Sequence, residues 1–340
     1  MQKVVKFYLG IDVSKSWFDL SVMIVIDHQK QPILTERFDN TADGIKQLDK
    51  WLNSQQVPFS ENSLLVIENT GVYHRLIWEY CSSHNLPIHI GNATHIKWSH
   101  GIARGKNDKV DSRRLCSYAY KNADELRATP VFNPVFIKLK DMMTSRSRLI
   151  SHANSIKVYL GELKLSNSKE IQKIMEQAHK AAVDGLKKSI KHLDTQILQI
   201  IKEDDHIQKN YQLLTSVPGI GHITAVYIIC CTNNFSSKIK GKQLASYSGV
   251  VPFDNTSGTS IKGRSKVHKM ANKDLKKLLH LCALVAIKNY PEFKQYYERK
   301  KAEGKHTMAI INAIRNKLVL RAVAVINNQK EYVDNYKKAA

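Results

Sequence analysis

The chain has 340 residues, 43% of them apolar and 24% charged, so it is long enough for two or three domains and has the composition of a globular protein. Lys and Arg number 52 against 30 Asp and Glu, and the net charge of +22 indicates a polyanionic partner, most often nucleic acid. The five cysteines form no C-x-x-C pair and the histidines no H-E-x-x-H motif, which argues against a zinc site or a disulfide framework. No apolar run approaches the length of a bilayer span, so we expect a cytoplasmic protein without membrane contact.

The positive charge is distributed unevenly along the chain. Residues 1–60 contain seven basic and seven acidic residues and are neutral, whereas residues 235–317 contain eighteen basic and five acidic residues. This concentration is typical of a binding face for a polyanion. A basic protein without such a partner is the alternative.

The first part of the chain reads as an α/β domain. Strands are predicted at 4–14, 17–27, 32–39, 63–71 and 87–91, and helices at 41–52, 72–83 and a stretch through Lys121. Thr41 is a plausible N-cap of the first helix. Three consecutive strands with short links predict an antiparallel meander, and the full order of elements is that of a ribonuclease-H-like fold.

Two prolines, Pro130 and Pro134, mark a boundary, and two heptad patterns follow it. The apolar positions are Leu139, Met142, Leu149, Ala153, Ile156, Leu160 and Leu163 in the first, interrupted by Arg146, and Val183, Leu186, Ile190, Leu193, Ile197 and Ile200 in the second. The segment "SNSKE" between them is a candidate turn. The patterns predict an antiparallel coiled coil that packs on itself or pairs two protomers; an ordinary amphipathic helix pair is the alternative.

From Tyr211 onward the sequence predicts a mostly helical domain. Pro218-Gly219-Ile220-Gly221 lies between two apolar helical stretches, as in a helix-hairpin-helix element, whose glycines let the backbone approach phosphate. A plain glycine-rich turn is the alternative. A Ser/Thr/Gly-rich loop is predicted at 255–260, followed by a basic stretch and an amphipathic helix. The predicted nucleic-acid-binding residues here are Gly219, Gly221, Lys262, Arg264, Lys266 and Lys269.

Four carboxylates are the candidate site for chemistry. Asp12 ends the first strand and Glu68 ends the buried strand "LLVIE", and these strands are neighbours in a ribonuclease-H-like sheet. Asp108 and Asp111 share a face of one helix. Because four converging carboxylates repel one another without cations, we expect two Mg²⁺ or Mn²⁺ ions, which favour oxygen ligands and support phosphodiester chemistry. The basic residues expected to hold the nucleic-acid backbone beside them are Arg104, Lys106, Lys109, Arg113 and Arg114.

Each of these residues also has a structural interpretation. Asp12 alone could form a strand-end turn, and Asp108 could cap a helix. A nucleophile is less well defined, because Ser246, Ser248, Ser257, Ser260 and Ser265 all lie in one basic, loop-rich stretch. On loop position, Ser257 and Ser260 are the best candidates.

Five motifs occur together in the order and spacing typical of one family: "GIDVSK", "VIENTGVYH", "GKNDKVDSRRL", "SVPGIGHITA" and the segment 244–279, which contains "GVVPFDNTSGTS". The chain resembles the DEDD-type transposases of bacterial insertion sequences, the bridge-RNA-guided recombinases. The resemblance covers nearly the whole chain.

The resemblance implies a RuvC-like domain at 1–130 with Asp12, Glu68, Asp108 and Asp111 as metal ligands, coiled-coil oligomerisation helices at 131–207, and a transposase domain at 208–340. It also implies Ser257 as the nucleophile that becomes linked to DNA. The implied assembly is a homo-oligomer, a dimer or a DNA-bound tetramer associated with the nucleoid when active, with double-stranded DNA and a structured guide RNA as partners. The segment "NTSGTSIKG" is less glycine-rich than the family pattern.

Three other functions compete with this interpretation. A metal-dependent Holliday-junction-type endonuclease would share the carboxylates but needs neither the coiled coil nor the serine loop. A sugar-kinase-like ATPase would share "GIDVSK", but the sequence has no second glycine-rich phosphate loop. A non-enzymatic nucleic-acid-binding protein would leave the carboxylates without a role.

Overall fold

The computed structural model describes residues 4–99, 108–166, 168–257, 261–267 and 270–333, and within these it leaves out the side chains of 108, 109, 166, 255–257, 261, 262, 264 and 266. The predictions for Arg104, Lys106, Ser260 and Lys269 lie outside the described residues. The chain forms two compact units, residues 1–133 and 134–340.

The first unit is a mixed six-stranded sheet with four helices. Its strands are β1 (Val5–Val13), β2 (Trp17–Ile26), β3 (Gln29–Lys30), β4 (Leu34–Asp39), β5 (Ser63–Glu68) and β6 (Ile88–Gly91). Its helices are α1 (Ala42–Ser54), α2 (Arg75–Ser83), α3 (Ala93–Ser99) and α4 (Asp108–Lys121). Thr41 caps α1 as predicted, because its side chain accepts a hydrogen bond from the Gly44 amide.

The strand order confirms the predicted meander. β2 pairs antiparallel with β1 on one side and with β3 and β4 on the other, whereas β1 pairs parallel with β5 and β5 with β6. The central strands β1 and β5 are buried on both faces, which is why "SLLVIE" is almost wholly apolar. The arrangement is compatible with the ribonuclease-H-like fold expected from the sequence.

Helix α4 packs on β1 at unusually short range because β1 contains Gly10. A Cβ at Gly10 would lie 2.1 Å from the Cys116 amide nitrogen and 2.4 Å from the Ser112 carbonyl oxygen. Any other residue would therefore push the helix off the sheet. Ser112 is itself buried and hydrogen-bonds to Ser21 on β2 at 2.9 Å, which holds the helix against both strands.

The second unit begins with an antiparallel pair of long helices, α5 (Pro134–Ser166) and α6 (Lys169–Lys202). The predicted turn between them is confirmed, and Ser168 caps α6. Arg146 interrupts the heptad pattern because it pairs across the helices with Asp194, to which it donates hydrogen bonds from Nε and from one terminal nitrogen.

Six further helices and one hairpin complete this unit. They are α7 (Asp205–Ser216), α8 (His222–Thr232), α9 (Gly241–Tyr247), β7 (Phe253–Ser257), β8 (Ile261–Lys266), α10 (Lys273–Asn289), α11 (Pro291–Ala302) and α12 (Thr307–Asn328). The apolar core lies between α7, α8, α10 and α12. No helix in the described part of the chain is long and apolar enough to cross a membrane.

One prediction for this region is wrong. The segment 255–260 was expected to be a loop, but residues 253–257 and 261–266 pair as an antiparallel hairpin with an irregular register near Phe253. Alternating threonine, serine and isoleucine with lysine and arginine is compatible with a strand, and cross-strand pairing outweighs the turn-forming tendency of the Ser/Thr/Gly residues. Residues 258–260 of the predicted loop lie outside the described residues.

Candidate catalytic site

Asp12 and Glu68 lie side by side at one edge of the sheet, as predicted. The parallel register of β1 and β5 pairs Ile11 with Ile67, and each carboxylate follows directly after its isoleucine. Side chains of paired residues in neighbouring strands point to the same face. Asp12 lies two residues after Gly10, whose Cα faces α4, so Asp12 and Glu68 are both on the α4 side of the sheet. Both residues are half-buried.

The direction of α4 brings its first turn to this edge. Tyr8 contacts Cys116 and Tyr120, since the Cys116 thiol lies 3.0 Å from the Tyr8 carbonyl oxygen and the two tyrosine rings pack edge to face. Gly10 contacts Ser112. The helix therefore runs antiparallel to β1, and the position two residues beyond Gly10, that of Asp12, faces the N-terminal turn of α4. This turn contains Asp108 and Asp111.

The carboxylate of Asp111 makes a defined contact. It accepts a hydrogen bond of 2.8 Å from Arg114 one turn along the helix, and both side chains are about one-quarter exposed. Among the described side chains, no three His, Cys, Asp or Glu groups lie close enough to hold a metal ion; the side chain of Asp108 is not among them. The direction of α4 thus turns the backbone of Asp108 and Asp111 towards the end of the sheet that carries Asp12 and Glu68, and Arg114 pairs with Asp111 there.

A fifth carboxylate at this edge, Asp19, was missed by the sequence analysis. Asp19 is directly opposite Asp12 in the antiparallel β1–β2 pair and is 1% exposed. Directly opposed residues have Cβ atoms about 5 Å apart on the same face. Arg37, opposite Asp19 on β4, binds both of its carboxylate oxygens at 3.0 and 2.7 Å. The short connection between Val13 and Trp17, which predicts a tight hairpin, was the available signal in the sequence.

The basic residues predicted to bind nucleic acid differ in their exposure and in their contacts. Arg113 is exposed and donates a hydrogen bond to Thr35 at 3.0 Å, whereas Arg114 is bound to Asp111. Lys109 lies in the first turn of α4. Lys262, Arg264 and Lys266 occupy alternate positions along β8. Arg113 is thus the most accessible of the predicted arginines in the first unit.

The candidate serine nucleophiles differ in their positions and contacts in the structure. Ser257 is the last residue of β7, at the tip of the hairpin, where its backbone pairs with Ile261. Ser248 is fully buried and donates a hydrogen bond to the Ala245 carbonyl, so DNA does not reach it. Ser265 is exposed and its hydroxyl lies 2.9 Å from an oxygen of Asp254. Ser265 is therefore an exposed serine on the hairpin, and the backbone of Ser257 lies at the end of β7.

The two glycines of the helix-hairpin-helix element differ. Gly219 has a positive φ of 82°, and a Cβ there would lie 2.6 Å from the Cys282 carbonyl on α10, so its glycine is required by packing within the unit. Gly221 is exposed, precedes α8 as its N-cap and has open space around it. The amides at the start of α8 are thus free to approach an anion at Gly221.

His222, the first residue of α8, is partly buried beside this turn. Its Nδ1 lies 3.2 Å from the Tyr211 hydroxyl, and burial lowers the pKa of the imidazole, with Asp194 acting in the opposite direction and Arg146 in the same one. The element therefore has a neutral histidine rather than a cation at its helix terminus near pH 7.

Comparison with known proteins supports the resemblance inferred from the motifs. A family model described as "Transposase", of the DEDD IS110 type, matches residues 9–163, and one described as "Transposase IS116/IS110/IS902 family" matches residues 211–298. The pilin gene-inverting proteins of Moraxella bovis and Moraxella lacunata are each 30% identical over 96% of this chain and 98% of their own length. An uncharacterized 43.6 kDa protein of insertion element IS110 from Streptomyces coelicolor is 35% identical over 31% of this chain and 26% of its own length.

The first of these matches spans the residues that build the carboxylate edge, and the second spans the helix-hairpin-helix element and the β7–β8 hairpin. The similarity to the Moraxella proteins extends over both units. The chain therefore belongs to the family of IS110-type DEDD transposases and is a DNA transposase/recombinase.

Proposed function

We propose that this protein excises and inserts a bacterial insertion sequence by attack of Ser257 on DNA phosphodiesters, with Asp12, Glu68, Asp108 and Asp111 as the ligands of one or two Mg²⁺ or Mn²⁺ ions. The observation that carries the proposal is the register of β1 with β5, which places Asp12 beside Glu68 on the face covered by α4. The first unit would then be RuvC-like.

The donor set fits hard divalent cations. All four side chains offer carboxylate oxygens, the ligands that Mg²⁺ and Mn²⁺ prefer. When bound, such ions lower the pKa of an attacking hydroxyl and stabilise the negative charge that develops on the phosphate. Arg114 already balances the charge of Asp111, and Arg37 that of Asp19. These pairs reduce the repulsion among the remaining carboxylates.

The serine step exchanges one phosphodiester for another. The Ser257 hydroxyl oxygen attacks phosphorus, the bond from phosphorus to one deoxyribose oxygen breaks, and that oxygen leaves with a proton as a free DNA hydroxyl. A later attack by a DNA hydroxyl reverses the exchange and rejoins strands. Inversion of a gene, for which the Moraxella relatives are named, likewise requires cutting and rejoining of DNA.

We further propose that the active form is a homo-oligomer guided by a structured RNA. Several apolar residues of the α5–α6 pair are exposed in the single chain: Val158 at 60%, Leu165 at 90% and Ile174 at 54%. All three lie in the half of the pair near its turn, where a second copy would cover them. The positive charge of residues 235–317 supports binding of RNA as well as DNA.

The test is the covalent protein–DNA adduct. The full chain is incubated with Mg²⁺, its co-purified RNA and DNA carrying the element's own ends, and the adduct is measured on a denaturing gel. Ser257→Ala abolishes the adduct, and Asp12→Asn reduces it at least a hundredfold, whereas the matched hairpin variant Ser265→Ala retains it. An adduct that survives Ser257→Ala and disappears in Ser265→Ala would move the nucleophile to Ser265.

The same experiment separates the rival function. A metal-dependent junction endonuclease cleaves DNA through water and would keep cutting after Ser257→Ala. Cleavage of branched DNA by that variant at the rate of the unaltered chain would replace the recombinase proposal with the endonuclease.

A further inference from the structure

Arg315 on α12 is a buried cation that forms no ion pair with an acidic residue in the described part of the chain. The residue is 5% exposed. One terminal nitrogen of its guanidinium lies 2.6 Å from His280 Nδ1, and its Nε is buried without a hydrogen-bond partner. Arg321, two turns further along the same helix, is by contrast bound to Glu292. A buried guanidinium needs a counter-charge, and the residues that the structure describes provide one for Arg321 but not for Arg315.

Two other basic side chains lie beside Arg315. Lys276 and His280 are one turn apart on α10, which packs against α12. Burial lowers the pKa of both side chains, and the charge of Arg315 lowers each further. Arg315 contacts His280 directly, and Lys276 is one turn before His280 on α10, so these three side chains form one group, which we call the basic cluster. The positive charges of Arg315 and Lys276 are unfavourable together in the free protein and favourable around an anion.

The basic cluster borders the base of the β7–β8 hairpin. A Cβ at Gly249 would lie 2.5 Å from the Ala271 Cβ and 3.6 Å from the Lys276 Cδ, so the chain entering the hairpin packs directly on α10 at Lys276. On the other side, Asn312, one turn before Arg315, donates a hydrogen bond of 2.7 Å to the Val250 carbonyl. Residues 249–251 are thus held between Lys276 and Asn312, immediately before β7.

We propose that Lys276, His280 and Arg315 form a binding site for one phosphate group of the DNA backbone, beside the hairpin that ends in Ser257. The guanidinium carries planar donors that match phosphate oxygens, and its buried Nε has no hydrogen-bond partner among the described residues, so the hydrogen bonding of Arg315 is incomplete without a ligand. Lys276, partly buried beside Gly249, adds a second positive charge. This site is a positioning device for the strand and rests on the proposed function, because only that function brings DNA to the hairpin.

The first test uses inorganic phosphate and the full chain. The melting temperature is measured with increasing phosphate at constant ionic strength, with chloride as the reference salt, because a ligand that binds the folded state raises the melting temperature. Phosphate raises it for the unaltered chain, Arg315→Met abolishes the rise, and Lys276→Met reduces it. Lys277→Met is the matched control, since Lys277 is the next residue of α10 but is exposed and paired with Asp274; it retains the full rise.

A second readout distinguishes a ligand site from a structural arginine. If Arg315 is reserved for an anion, Arg315→Met removes an uncompensated charge, so the melting temperature without phosphate stays the same or increases. Arg321→Met, which leaves Glu292 unpaired, decreases it. A decrease of the same size for Arg315→Met would make Arg315 structural and overturn the proposal, as would a phosphate-dependent rise that survives in Arg315→Met and Lys276→Met.

A third experiment distinguishes DNA from RNA as the nucleic acid that this site binds. Binding of a DNA duplex is measured across salt concentrations, and Arg315→Met weakens it about tenfold and reduces the slope of log affinity against log salt by about one. Loss of affinity for an RNA duplex alone would overturn the assignment to DNA. Neither phosphate nor duplex binding requires strand cleavage, so both are measured independently of the serine reaction. Failure of the serine mechanism is therefore distinguishable from failure of this site.

Discussion

At the scale of single residues, the site depends on how the repulsion between its carboxylates is offset. Asp12 and Asp19 face each other across the β1–β2 pair, and two ionised carboxylates at this separation repel each other. Arg37 binds Asp19 through two hydrogen bonds and so neutralises the more deeply buried of the two. The pair also fixes β4 against β2 at the level of the site.

Asp19→Asn tests this role. The amide cannot balance the charge of Arg37, so we expect a loss of about 2 kcal/mol in the free energy of unfolding, measured by urea denaturation. Asp43→Asn is the control, because Asp43 pairs with Lys46 on the surface, where both side chains are more than 70% exposed. We expect the control to leave stability almost unchanged, because solvent screens an exposed pair. Equal effects of the two substitutions would show that the Asp19–Arg37 pair contributes no more than a surface pair.

At the scale of secondary structure, the long helix pair α5–α6 combines an apolar seam with one charged contact inside it. Ala153 and Ile197 are buried, and Arg146 pairs with Asp194 where the heptad pattern predicts an apolar residue. The side chain of Arg146 is 17% exposed and that of Asp194 29% exposed. A polar pair at a seam position costs stability and specifies the register of two helices, because a shifted register leaves both charges without partners.

Arg146→Leu therefore lowers the free energy of unfolding by about 2 kcal/mol, because Asp194 is left without its partner in a partly buried position. The double variant Arg146→Leu with Asp194→Leu recovers most of this loss, since two leucines extend the apolar seam. Lys187→Leu, which breaks the exposed pair with Asp184, is the comparison. The measurement is urea unfolding followed by helical circular dichroism. If the double variant were no more stable than Arg146→Leu, the apolar seam would not contribute to the free energy of unfolding as we expect.

At the scale of the whole molecule, the net charge of +22 is the dominant property, and most of it lies in the second unit. Such a surface attracts any polyanion at low salt, so charge alone does not distinguish a guide RNA from general nucleic-acid binding. Structured RNA and DNA would compete for it unless each has its own site. The basic cluster at the hairpin is a candidate for a dedicated contact to DNA.

We predict that the protein, expressed together with the noncoding DNA that flanks its gene, purifies with one discrete RNA. The measurement is sequencing of the RNA retained after a high-salt wash. A single species that maps to the adjacent noncoding DNA is expected of a guided recombinase, because base pairing then supplies the sequence specificity. The control is the same protein expressed without the flanking DNA, which retains no such species. Heterogeneous RNA in both preparations would count against guidance and favour the junction endonuclease.

Much of the architecture was predictable because it depends on short-range patterns. Runs of β-branched and aromatic residues identified β1 and β2, the heptads identified α5 and α6, and Thr41 marked the start of α1. The adjacency of Asp12 and Glu68 also followed from the order of elements, since few sheet topologies accommodate that order. The hairpin at 253–266 was not predicted, because cross-strand pairing outweighed the local preference of its Ser, Thr and Gly residues for a loop.

The sequence alone therefore determined the order of elements, the family and the residues that end the central strands. Only the tertiary structure showed that Asp19 faces Asp12, that Arg146 has a partner in Asp194, and that Arg315 lies buried beside Lys276 without a carboxylate. The physical reason is the separation along the sequence of the residues that decide each feature. A helix or strand is favoured by residues a few positions apart, whereas the charge balance around a buried group is decided by side chains brought together from distant parts of the chain.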